Sequence, residues 1–277
     1  MSYKTILVHA DLSPHAINRI RLAARLAHTQ RGHLTGIAVC SFPSDFYRAA
    51  ATLYVAPPAA EFARLNHQSS EALDRFETLA HAFDLPQVDA RVCQGDSRDV
   101  LVREARHADL VVLSQNDPDA APGAVDDLPE QVLLHGGRPV LLVPYAGKFE
   151  RLDHHALVAW DGSEAAARAI TGAVPLLRRS AAVTLAVLNP QQHGGEEMPG
   201  EEMVRHLACH GVRSEVLAQR VPEGLDVGGA LLSIASDLCA DLMVMGAYGH
   251  RRRRELLLGG VTRTCLRSMT VPVLMSH

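Results

Sequence analysis

Short, almost wholly apolar runs alternate with longer stretches whose apolar residues return every third or fourth position, and this alternation persists along the whole chain. The runs Lys4–Asp11, Leu34–Val39, Val88–Cys93, Asp109–Ser114 and Pro139–Val143 have the length and composition of buried strands. Between them, Ile17, Ile20, Ala24 and Ala27 recur at helical spacing, and helices are predicted over Glu61–Phe83, Arg98–Arg106 and Leu128–His135. Ser13 is placed to cap the first helix, with Pro14 at its first position. Strand alternating with helix predicts βαβ units and a mostly parallel sheet covered on both faces. Right-handed crossovers then make the sheet doubly wound. In such sheets ligands sit beyond the carboxyl ends of the strands, where the winding reverses.

The second half repeats the design. His155–Asp161 echoes the opening strand and its terminal aspartate, and Gly162-Ser163 leads into a helix whose face is Ala166, Ile170, Ala173 and Leu177. Strands follow at Val183–Leu188, Ser214–Val221, Asp241–Met245 and Val271–Met275, with helices at Glu201–His210, Ala230–Cys239 and Val261–Ser268. Ala240-Asp241-Leu242 matches Ala108-Asp109-Leu110, and Pro272 falls over Pro139. The chain therefore reads as a tandem duplication with domains at residues 1–147 and 151–277, joined around Tyr145–Asp153.

Composition changes this picture little. The 277 residues are 47% hydrophobic and 21% charged, which suits two ordinary globular domains. The formal net charge of −4 gives no reason to expect nucleic acid as a partner. No apolar run is long enough for a signal peptide or a membrane span. The five cysteines are odd in number and form no Cys-x-x-Cys, a pattern that predicts a reducing, cytoplasmic setting.

The stretch that carries chemistry is Gly246-Ala-Tyr-Gly249-His-Arg-Arg-Arg-Arg-Glu-Leu-Leu-Leu-Gly259-Gly260-Val-Thr262. It joins a buried strand to the last helix. Glycine lets a backbone approach a ligand with no Cβ in the way. A helix N-terminus adds free N–H groups and a positive dipole end, so the pair makes an anion site suited to phosphate. Two residues separate Gly246 from Gly249 and nine separate Gly249 from Gly259. This resembles the G-x2-G-x9-G-[S/T] phosphate loop of the nucleotide-binding universal stress protein family, and the resemblance runs on through the last strand. One departure stands out: Gly260 occupies the family's Ser or Thr position, and Thr262 lies two residues on.

The resemblance implies two five-stranded α/β domains with strand order 3-2-1-4-5. It implies ATP or a related adenine nucleotide bound in the second half, with magnesium compatible with the nucleotide. The implied contacts are Asp161 at the ribose or a phosphate-bound metal and Val187 at the adenine edge. Met245, Gly246, Gly249, His250, Gly259, Gly260, Val261 and Thr262 complete the set around the phosphates. Pairing of the two domains within the chain, and a homodimer, are the assemblies it leaves open. Trp160 either packs under the sheet or narrows the base pocket.

The first half keeps Asp11 but lacks the glycine loop. Its counterpart holds Gly123 alone, among Asp117, Asp119, Asp126 and Asp127, which would repel phosphates. The first half is thus read as degenerate. Arg251–Arg254, inside the glycine loop, read as solvated surface or as phosphate partners. His206, Cys209 and His210 share one helical face but lack a fourth zinc ligand, so a surface cluster is expected rather than a metal site. No Gly-x-Ser-x-Gly elbow, Walker lysine loop or activated cysteine is visible, and no catalytic residue is assigned. The expected function is a stress-response nucleotide sensor or switch with slow or no hydrolysis. A nucleotide-free interaction scaffold and a weak ATPase are the alternatives.

Overall fold

Strand and helix alternate throughout the computed structural model, which describes residues 2–42, 46–47, 58–119, 127–189, 200–222, 226–248 and 260–277. In chain order the elements are β1 (Thr5–His9), α1 (Ala16–Gln30), β2 (His33–Cys40), α2 (Ala59–Ala80), β3 (Val88–Gln94), α3 (Ser97–Ala105), β4 (Leu110–Ser114), α4 (Leu128–His135) and β5 (Val140–Val143). Then follow β6 (His155–Ala159), α5 (Glu164–Leu177), β7 (Ala182–Leu188), α6 (Glu201–Cys209), β8 (Glu215–Gln219), α7 (Val227–Asp237), β9 (Leu242–Gly246), α8 (Gly260–Ser268) and β10 (Val273–Ser276).

The chain divides into two compact units, Ser2–Arg138 and Pro139–His277. In the first, parallel strands stand in the order β3-β2-β1-β4. In the second the order is β5-β10-β9-β6-β7-β8, parallel throughout except for β5, which runs antiparallel to β10. Strands β6 to β10, counted within their own repeat, thus take the order 3-2-1-4-5 that the resemblance implies. By sequence β5 closes the first repeat. By compactness it belongs to the second unit, where Val140, Leu141 and Leu142 pair with Met275, Leu274 and Val273.

Central strands are apolar on both faces because helices cover both. Ile6, Leu7, Val8, Leu110–Leu113, Ala156–Val158 and Leu242–Met245 are all buried, whereas the edge strands β3 and β8 alternate with exposed residues. The matched Ala-Asp-Leu tripeptides have a physical reason. Asp109 accepts hydrogen bonds from the backbone N–H groups of Lys4 (2.7 Å) and Thr5 (3.0 Å), and Asp241 does the same for His154 (2.8 Å) and His155 (3.0 Å). Each aspartate sets the register at the amino ends of its unit's two central strands.

Helix starts differ from expectation in two places. Ser13 does not cap α1: its N–H and hydroxyl both turn back to Asp11, and the helix begins at Ala16 after an uncapped His15. The seventh helix begins at Val227 rather than Ala230, because Asp226 accepts from the N–H groups of Gly228 and Gly229 and carries both glycines into the first turn.

Gly36 of β2 lies under α2 with Phe76, itself fully buried, against it; a Cβ added to Gly36 would stand 2.7 Å from Phe76 Cγ. Gly36→Ala should therefore destabilise the first unit by about 1–3 kcal/mol through overpacking. In denaturant unfolding, Gly36→Ala combined with Phe76→Leu should cost less than the two single changes summed. Strict additivity would mean that the close approach does not govern the site.

Candidate functional site

In the second unit the chain leaves β6 through α5 to reach β7 on one side. It leaves β9 through α8 to reach β10 on the other. The carboxyl ends of the adjacent strands β6 and β9 are therefore where the winding reverses and a cleft must open. Asp161 stands just beyond β6, half-buried, with Oδ1 accepting the Ser163 N–H at 3.0 Å. Gly162 carries the turn with φ of 74°, and Ser163 caps α5 by accepting the Ala166 N–H at 3.1 Å.

Gly246 ends β9 directly against this capped first turn. A Cβ there would lie 2.8 Å from the Ala165 carbonyl carbon and 2.9 Å from Ala166 Cα. So Gly246 is required by helix packing, which brings the α5 N-terminus onto the end of β9. Gly260, by contrast, opens α8 exposed to solvent, and among the described residues a Cβ added there meets nothing within 4 Å. The N–H groups of Gly260, Val261 and Thr262 form the first turn, the region of a helix whose donors lack intrahelical acceptors.

Thr262 is buried, and its hydroxyl accepts the Tyr248 N–H at 3.2 Å. It thus ties the start of the loop to the start of α8. Tyr248 adopts a left-handed φ of 60°, and its ring meets His277 edge-on at 5.7 Å. The His277 Nδ1 donates to the Ala247 carbonyl at 3.1 Å, and Arg168 Nε donates to the His277 carbonyl at 2.9 Å. Val187 and Met245 are buried strand residues, Val187 opposite Ala218 in β8 and Met245 opposite Met275 in β10. Trp160 is half-buried and joins β6 to β7 through its N–H to Ala186. The remaining sequence-derived positions, Gly249, His250, Gly259 and Arg251–Arg254, lie outside the described residues.

The first unit fills the equivalent place differently. By the repeat, Asp11 falls over Asp161, Arg19 over Ala169, Ser114 over Gly246 and Asp117 over Gly249. Arg19 is only 2% exposed. Its Nε donates to the His9 carbonyl (2.8 Å), its Nη1 donates to Ser114 Oγ (2.6 Å), and its Nη2 lies 3.0 Å from Asp11 Oδ2. Burial would raise the Asp11 carboxyl, but Arg19, His9 and Ser13 together hold it well below the usual carboxylate range. Burial and Arg19 depress the His9 imidazole to about 4, against the opposing pull of Asp11.

The expectation that bare aspartates repel phosphate in the first half is corrected in part. Asp117 pairs with His15 at 2.8 Å and Asp127 with Arg98 at 2.5 Å. The unexpected occupant is Arg19. Its signal in the sequence was a cation on the apolar face of α1, one turn from Ala16 and Ala23.

The rings of His206 and His210 meet at 4.6 Å, yet among the described residues no group of three His, Cys, Asp or Glu is arranged to hold a metal ion. Burial pushes the Cys265 thiol up to about 12, with Asp226 adding to the shift, so it stays protonated. No described helix is long and apolar enough to cross a membrane.

Comparison with known proteins agrees with this architecture. The family model described as the universal stress protein family matches twice, at residues 2–144 and 154–277. A curated relative, the universal stress protein Slr1230 of Synechocystis, is 25% identical over 223 residues, covering 76% of this chain and 73% of its own. The crystal structure of a universal stress protein from Archaeoglobus fulgidus superposes with a TM-score of 0.77 at 16% identity, covering 98% of this chain and 94% of that one. A functionally unknown protein of Pseudomonas aeruginosa PAO1 gives 0.61 at 16% identity, over 98% and 92%. At such identities the two structures speak to the fold alone.

His9 makes the first unit sensitive to acid. A histidine held neutral by the fold at about 4, against 6.5 when free, contributes stability that is complete above the free value and is lost as pH falls toward the folded one. Between about pH 7 and pH 5 wild type should lose on the order of 1–2 kcal/mol more than His9→Asn, because the shifted Asp11 titrates only below that window. Equal pH slopes in denaturant unfolding would remove His9 from the network.

Proposed function

The chain belongs to the universal stress protein family, and we propose that its second unit binds one adenine nucleotide, ATP or a close relative, as a sensor or switch rather than as a dedicated catalyst. The observation that carries this reading is the α8 N-terminus. Its first turn begins at an exposed glycine that no described residue crowds, directly after a stretch that keeps the family's glycine spacing. Backbone N–H groups at a helix start, with no side chain in the way, fit the charge and size of a phosphate. A Cβ-free Gly246 lets the capped turn of α5 stand beside them, with Asp161 at its mouth.

In this reading Gly249, Gly259, Gly260, Val261 and Thr262 surround the phosphates, with His250 beside them. Asp161 meets the ribose or a magnesium ion carried by the phosphates, and the ends of β7 and β9, at Val187 and Met245, border the base. Binding without fast turnover is supported by the side chains at the cleft. Asp161 and Thr262 both accept backbone N–H groups, which commits them to shaping the loop. A cytoplasmic setting suits such a ligand, and the free cysteines agree with it.

Calorimetric titration of the full chain with ATP tests the stoichiometry, and one site is expected. Gly249→Asp should weaken binding by at least about 2 kcal/mol through charge repulsion and lost approach. A folded Gly249→Asp protein with unchanged affinity would move the phosphates elsewhere. The exposure of Gly260 adds a second arm. Gly260→Ser supplies the hydroxyl found in the family without meeting any described residue and should lower the dissociation constant by about tenfold. Thr262→Val should weaken binding in both backgrounds, since it releases the Tyr248 N–H that orders the loop's first turn. No ATP binding by the wild-type chain would overturn the reading.

A further inference from the structure

The cleft at the carboxyl ends of β1 and β4 holds a guanidinium group where the second unit has Ala169 and Gly246. Two acceptors and a carboxylate converge on it: the His9 carbonyl accepts from Nε at 2.8 Å, Ser114 Oγ accepts from Nη1 at 2.6 Å, and Asp11 Oδ2 forms an ion pair with Nη2 at 3.0 Å. At the outer edge, where Gly249 stands in the repeat, Asp117 is paired with His15 at 2.8 Å.

We propose that the first unit's cleft is a guanidinium-binding site, acidic where the second unit's cleft is suited to anions, and that the chain fills it from within through Arg19. A planar fork donates from Nε to a carbonyl and from Nη1 to a hydroxyl while its Nη2 lies at ion-pair distance from a carboxylate, three roles at fixed directions that a compact ammonium cannot fill at once. A charge this deeply buried persists only when paired and hydrogen-bonded, and the His9 carbonyl, Ser114 and Asp11 supply that here. Ser114 and the later start of α1 are what make room. Glu164 and Ala165 begin α5 two residues earlier in the repeat, against a Gly246 that has no side chain. An incoming phosphate would meet Asp11 and Asp117, with Arg19 already paired to Asp11 and His15 to Asp117. The first unit therefore takes a cation from its own helix in place of an external anion. This inference is independent of whether the second unit binds nucleotide.

The test is chemical rescue in the full-length protein. Arg19→Ala removes the guanidinium and leaves the half-buried Asp11 carboxylate without its cationic partner. The melting transition of the first unit should fall by roughly 10 °C. Methylguanidinium at about 10 mM should return a saturable part of that loss, as any ligand specific to the folded state does. Methylammonium at the same concentration, and ATP, should return none, and wild type should respond to neither cation. Equal effects of the two cations, or saturable stabilisation of the first unit by ATP, would overturn the proposal. Should Arg19→Ala not fold, Arg19→Lys and Arg19→Met decide. Lysine keeps the charge but not the fork, so both variants should melt well below wild type, and an Arg19→Lys protein as stable as wild type would defeat the guanidinium assignment.

Discussion

The second unit's cleft depends on one close approach, the first turn of α5 lying on the bare backbone of Gly246. Helix α5 is capped by Ser163, oriented by the Asp161 turn, and brought so near β9 that no Cβ fits between. Everything at the cleft is placed from that contact. It fixes where α5 presents its N-terminal dipole, how far Asp161 stands from the end of β9, and the direction in which the chain must leave Gly246. The exit is then held by local devices: the left-handed Tyr248, its N–H on Thr262, its ring on His277, and the His277 ring on the Ala247 carbonyl. Gly246, singled out by its spacing in the sequence, is in the fold also the point where α5 meets bare strand backbone.

The same scaffold carries the opposite electrostatics in the first unit. There the residue at the end of the fourth strand is Ser114, α1 starts later, and the space is taken by Arg19 with Asp11 as counter-ion. Removing two charges from water is costly, and such a pair contributes little net stability unless its remaining hydrogen-bonding capacity is met. A carbonyl and a hydroxyl accept from Nε and Nη1, Nη2 faces Asp11 as an ion pair without a hydrogen bond of its own, and Asp11 is further held by Ser13 and His9. Specific occupancy of the cleft, more than added stability, is what this arrangement supplies.

Much of the fold was legible from periodicity alone, because a parallel sheet covered on both faces forces its central strands to be continuously apolar and its connections to be helical. The aspartates at Asp11 and Asp161, and the matched Asp109 and Asp241, stood out for the same reason: strand ends need their N–H groups and turns satisfied. What periodicity could not assign was the allegiance of β5. Val140–Val143 is an apolar run that reads identically whether it closes its own repeat or lies antiparallel to β10. Nor could it show that Ser13 serves Asp11 instead of the helix, since the same residue type suits either task. Arg19 was missed because a composition-based reading assigns arginine to the surface, and only its two acceptors and its ion pair with Asp11 reverse that. The glycine spacing located the loop, but it did not distinguish Gly246, required by packing, from Gly260, which is exposed to solvent.

That distinction explains why the two halves are not interconvertible by a single change. An arginine at Ala169 would enter a site where Gly246 offers no hydroxyl and the first turn of α5 already occupies the space over β9. A serine at Gly246 would collide with that turn before it could receive a guanidinium. Conversely, a glycine at Ser114 would strip Arg19 of one of its two acceptors while leaving α1 without the early capped turn that makes use of a glycine. Helix start, strand-end residue and cleft occupant are therefore set together in each unit. Each cleft is a consistent solution to the same backbone problem: one closed by an internal cation, the other shaped by the first turn of α5 on the bare backbone at the end of β9.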